Sequence, residues 1–149
     1  MYKKILVPVD GSPASKRGLE EAVRLAKSLN ASLRLVHVVN ELVMDTAYAP
    51  ALYDERVIEA LRAGGLKTLE EAEAWVVSQG LKAETQLVET IGGRAADLIV
   101  EEARQHQVDL IVMGTHGRRG VRRLVMGSDA ELVLRSSLAP VLMVRASDA

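Results

Sequence analysis

Two hydrophobic rhythms alternate along the chain. Residues 3–9 form a short aliphatic run stopped by Asp10-Gly11, a turn pair, and predict a buried strand. Ser12-Pro13 then supplies an N-cap followed by proline at the first helical position. Leu19, Ala22, Val23 and Ala26 recur at helical spacing, so a helix is expected over residues 13–29, with Asn30 as its left-handed stop. Residues 32–39 predict a second strand, Leu33 and Leu35 pointing one way, Arg34 and Val36 the other. Residues 40–50 follow neither rhythm and read as a loop. A long helix is expected over residues 51–79, carried by Leu61, Leu69, Ala72 and Val76. Gly64-Gly65 inside it costs about 1 kcal/mol per glycine, so a bend or a junction of two helices is expected there.

The second half repeats the scheme. Residues 83–88 predict a third strand, and Gly92-Gly93 opens a helix with Ala95, Leu98, Ile99 and Ala103 on one face. Residues 109–113 predict a fourth strand. Ser128 caps a last helix with Ala130, Val133 and Leu134 inward, and Pro140 leads into a fifth strand, Val141 to Val144. Strands 1, 4 and 5 are continuously apolar, as strands covered on both faces must be. The expected fold is therefore α/β: one doubly wound domain over residues 1–149, with a parallel sheet and helices on both faces. No internal repeat or linker interrupts it.

Composition narrows the function classes. With 48% hydrophobic and 26% charged residues the chain is globular, and no apolar run approaches the roughly 18 residues of a membrane span. The run after Lys3-Lys4 is too short for a signal-peptide core, so a cytoplasmic location is expected. The absence of cysteine rules out disulfides and thiolate chemistry, and the three scattered histidines lack the paired spacing of a zinc site. A net charge of −1 offers no general field for nucleic acid, and the lack of Phe argues against base-stacking platforms. Nucleic-acid and membrane partners are not expected.

In open α/β sheets ligands bind beyond the carboxyl ends of the strands. Two connections stand out there: Asp10, Gly11 and Ser12 after strand 1, and the long stretch from Gly114 to Ser128 after strand 4. If strands 1 and 4 are neighbours, these loops form one pocket. Gly114 and Gly117 would let the backbone approach a ligand, and the N–H groups of Gly127, Ser128 and Asp129 would point at phosphate from a helix N-terminus. Plainer readings stand beside these: Asp10 as a turn former, Gly114 and Gly117 as loop glycines, Ser128 as a cap. Arg118, Arg119, Arg122 and Arg123 read as a solvated run from which Arg118 would reach polyphosphate. His37 reads as a core histidine, His106 as exposed, and His116 as a donor to phosphate or ribose. Met44, Tyr48 and Tyr53 are expected to pack locally.

The spacing Gly114, Gly117, Gly127, Ser128 resembles that of the universal stress protein family, in its ATP-binding branch, where Gly, two residues, Gly, nine residues, Gly and Ser or Thr recur. The opening Lys4 to Ser12, the run Leu35-Val36-His37-Val38, the third-helix start at Gly92 and the close Ala139 to Val144 are similar to it too, so the resemblance spans the chain. It implies a five-stranded sheet ordered 3-2-1-4-5 with ATP lying across strands 1 and 4. Pro8, Val9, Asp10 and Val38 would then flank adenine and ribose, with Asp10 near the ribose or a magnesium ion. Met113, Gly114, His116, Gly117 and Arg118 would line ribose and phosphates, and Gly127 and Ser128 would cradle the phosphate tail. Asp129 would repel that tail unless magnesium or Arg118 intervenes. The resemblance further implies a homodimer through the last strand, consistent with an apolar edge that invites pairing. The function so implied is an adenine-nucleotide-binding, stress-response regulator. A slow ATPase is one alternative, with only Asp10 and His116 placed to act on water and no P-loop lysine. A dimeric interaction protein with a vestigial pocket is the other, and the intact glycines argue against it.

Overall fold

The computed structural model describes residues 1–40, 55–116 and 126–146. Strands β1 (Lys4–Pro8), β2 (Ser32–Asn40), β3 (Ala83–Thr90), β4 (Leu110–Gly114) and β5 (Val141–Val144) alternate with helices α1 (Pro13–Leu29), α2 (Glu55–Ser78), α3 (Ala95–Gln105) and α4 (Ser128–Ser136). The strands form one parallel sheet ordered β3-β2-β1-β4-β5, the order that the family resemblance implies. Because β1 lies between β2 and β4, the strand order reverses beside it.

Each face of the sheet carries its own core. Ile5, Val7, Leu33, Leu35 and Val112 pack with residues of α1 and α2, whereas Leu6, Val36, Ile111 and Met113 pack with residues of α3 and α4. Successive side chains of β1 and β4 thus enter opposite cores, which is why their sequences read as unbroken apolar runs. Arg34 sits on the α3 face, where its Nε donates to Glu102 Oε2 at 3.1 Å; both side chains are almost buried. At the amino end, Asp109 accepts the backbone N–H groups of Lys3 and Lys4, so it anchors β1 and β4 begins one residue later than the pattern predicts.

α1 follows the sequence signals closely. Ser12 accepts from the Ser15 N–H, proline opens the helix, and Asn30 takes the left-handed conformation at φ 55°. α2 departs from expectation, since it runs through Gly64-Gly65 without interruption. A Cβ on Gly65 would fall 2.6 Å from His37 Cδ2 and 2.8 Å from Leu87 Cδ1, so the glycine permits close docking on β2 and β3. That contact offsets the roughly 1 kcal/mol that glycine costs a helix interior. Arg62 of α2 also grips Glu89 of β3 through both carboxylate oxygens. This hydrogen bond, aided by the guanidinium charge, holds the Glu89 carboxyl below its ordinary pKa against a smaller opposing effect of burial.

α3 starts at Ala95 instead of at Gly92-Gly93, with Arg94 as N-cap. The two glycines are taken up by the turn: Gly92 has φ 80°, the Gly93 N–H donates to Thr90 Oγ1, and the Gly93 carbonyl accepts from Asn40 Nδ2. The buried face is Ala96, Ile99 and Ala103, with Ala95 and Leu98 half-buried beside it. In α4 the N-cap is Gly127 and Ser128 is the first helical residue, not the cap. Only Ala130 and Val133 are buried there; Leu134, expected inward, is 49% exposed because it lies about 100° round the helix from Val133. His106 is half-buried and sits 3.5 Å from Glu102, not simply exposed. The loop expected over residues 40–50, the first residues of the predicted second helix, and Met44, Tyr48 and Tyr53 lie outside the described residues. Among the described residues no helix is long and apolar enough to cross a membrane.

Candidate functional site

The two connections singled out in the sequence meet at the carboxyl ends of β1 and β4. Their meeting is built from small residues. A Cβ on Gly114 would lie 2.7 Å from the Ala14 carbonyl carbon and 2.8 Å from its Cβ, and a Cβ on Gly18 would lie 3.3 Å from the Gly114 N. The first turns of α1 therefore rest directly on the end of β4. Gly114 is thus filled from behind by α1, so its missing side chain serves packing and not simply access to a ligand.

The turn after β1 is held from within. Asp10 Oδ1 accepts the Ser12 N–H at 2.8 Å, and the Asp10 N–H donates to Ser15 Oγ at 3.1 Å. Gly11 has φ 81°, a left-handed conformation that a side chain would strain. The turn-forming reading of Asp10 is therefore realised, whatever else its carboxylate meets. Behind it, Val9 is 5% exposed and belongs to the α1/α2 core, while Pro8 is half-buried.

The long connection after β4 has its two ends fastened. The Thr115 N–H extends the ladder to the Val144 carbonyl at 3.0 Å, and the Thr115 carbonyl receives the Gly127 N–H at 2.7 Å. Thr115 is buried, and its Oγ1 lies 3.1 Å from His116 Nδ1. Gly127, Ser128 and Asp129 are thereby brought back to the point where β4 ends. The first bond of α4 runs from the Glu131 N–H to the Gly127 carbonyl, and among the described residues no side chain caps the helix. The N–H groups of Ser128, Asp129 and Ala130 precede that bond, so they form an uncapped positive end beside the crevice. α1, by contrast, is closed by its own Ser12.

The remaining expected site residues fall as follows. Val38 stands two positions beyond Val36, the register partner of Pro8, hence level with Asp10 and half-buried. Met113 is 6% exposed and packs into the α3/α4 core. Gly117 and Arg118, with the neighbouring arginines, lie outside the described residues. Sequence reasoning missed Ser15, Thr115 and the Ala14/Gly18 pair. The last left a signal, two small residues four apart on a helix that must pack against a glycine.

The sequence model of the universal stress protein family matches residues 1–145. The chain belongs to the universal stress protein family. Among its stress-protein relatives, universal stress protein YxiE of Bacillus subtilis is 35% identical, the match covering 97% of this chain and 100% of YxiE. A universal stress protein solved in complex with cAMP superposes with a TM-score of 0.71 at 29% identity, covering 98% of this chain and 99% of that one. The universal stress protein of Archaeoglobus fulgidus in complex with dAMP gives 0.68 at 26% identity, covering 96% and 98%.

Proposed function

We propose that this universal stress protein binds an adenine nucleotide, ATP in its working state, in the crevice between the β1–α1 and β4–α4 connections, and acts as a stress-response regulator in the cytoplasm. The observation that carries this reading is the uncapped N-terminus of α4, held beside the β1–α1 turn by the Gly127–Thr115 hydrogen bond and the Gly114–Ala14 contact. Three backbone N–H groups at a helix end suit phosphate oxygens. The adenine nucleotides named with the two solved relatives, cAMP and dAMP, support adenine as the base.

ATP is favoured over a monophosphate by the glycine spacing from Gly114 to Gly127, which leaves a long connection to follow a phosphate chain. Asp10 is the carboxylate at the mouth of the crevice and would meet a magnesium ion carried in with the polyphosphate. One of its oxygens already serves Ser12, so the ion would rest chiefly on phosphate and water. The protein would work as a homodimer joined through β5, an edge strand that carries exposed Leu142 and is preceded in the chain by exposed Leu134 and Leu138. The reading is tested by denaturing the purified protein and identifying nucleotide in the supernatant by mass spectrometry. Released ATP or ADP supports it; protein that carries none and takes up none on incubation with ATP contradicts it.

A further inference from the structure

One buried polar side chain, close to the crevice, is unused by the reading above. His37, on β2, is 8% exposed and faces α2. Its Nδ1 lies 2.7 Å from the Val9 carbonyl oxygen. A carbonyl only accepts, so Nδ1 carries the proton and donates. The receiving carbonyl marks the place where β1 leaves the sheet. The Val9 N–H still bonds to the Val36 carbonyl, in ladder fashion, and the next residue is Asp10, which starts the turn.

The ring is seated by Gly65. The ideal Cβ position there lies 2.6 Å from His37 Cδ2 and 3.1 Å from Nε2, so any other residue would drive the imidazole from its place. Gly65, which beside Gly64 looks like a flaw in the sequence of α2, is therefore the socket for this ring. We infer that His37, seated by Gly65, is a positioning residue for the nucleotide site: its Nδ1–H clamps the Val9 carbonyl and so fixes where Asp10 presents its carboxylate. The inference rests on the proposed nucleotide reading for its effect on binding, although the clamp is a property of the free protein. A leucine at position 37 fills much of the same volume yet leaves the Val9 carbonyl without its donor. An asparagine places its Nδ2 near the position of Nδ1 and restores the donor.

The test compares wild type, His37→Leu, His37→Asn and Gly65→Ala, each as the full chain. ATP affinity is measured by calorimetry, and amide hydrogen exchange at Gly11 and Ser12 is measured without nucleotide. His37→Leu and Gly65→Ala should weaken ATP binding at least tenfold and speed exchange in the turn, while His37→Asn stays within about threefold of wild type in both. Equal affinities for Leu and wild type, or equal losses for Leu and Asn, overturn the positioning role. If wild type itself takes up no nucleotide, the functional reading falls, and the exchange data still decide the clamp: unchanged exchange in His37→Leu refutes it.

Discussion

Gly114 and Ala14 meet with no room for a Cβ between them, the helix carbonyl carbon standing 2.7 Å from where that atom would be. This contact joins the two loops of the site, because it presses the first turn of α1 onto the end of β4. Gly114→Ala should therefore destabilise the nucleotide-free protein by about 1–3 kcal/mol, the usual cost of overpacking. Urea denaturation without ligand reads this directly. Unchanged stability together with lost ATP binding would return Gly114 to a purely ligand-facing role.

Asp129 is exposed in the first turn of α4, where its carboxylate suits the helix dipole but opposes an incoming phosphate chain. Asp129→Asn should cost the helix about 0.3–1 kcal/mol and raise ATP affinity several-fold in the absence of magnesium, with AMP gaining less. Parallel calorimetric titrations check the ordering. Weaker ATP binding by the variant would mean that Asp129 helps to hold the nucleotide.

β5, the edge strand of the sheet, carries Leu142, 37% exposed, at its second position and in register with Val112. Lysine on an edge strand discourages pairing with another copy. Leu142→Lys should convert the proposed dimer to a monomer in sedimentation velocity while leaving the circular dichroism spectrum unchanged. A variant that still sediments as a dimer would move the interface away from β5.

Most of the fold was legible because its signals are local. The aliphatic runs of β1 and β4, the Ser12-Pro13 start and the Asn30 stop of α1 all act within a few residues of one another. Expectations moved where the deciding partner lies far along the chain. Gly65 reads as a helix breaker until His37 and Leu87 are set against it, and Gly93 reads as a helix start until Thr90 and Asn40 take its backbone groups. The site shows the same division. The turn at Asp10 and the return of the chain at Gly127 are foreshadowed by residue type, whereas the packing role of Gly114 depends on Ala14, a hundred positions earlier.

The most direct measurement is a calorimetric titration of the nucleotide-stripped protein with ATP, alongside ADP, AMP and cAMP, each with and without magnesium. The crevice between α4 and the β1 turn predicts one adenine nucleotide per chain, with ATP bound most tightly. Absence of binding by all four adenine nucleotides, with the protein folded by circular dichroism, would contradict it.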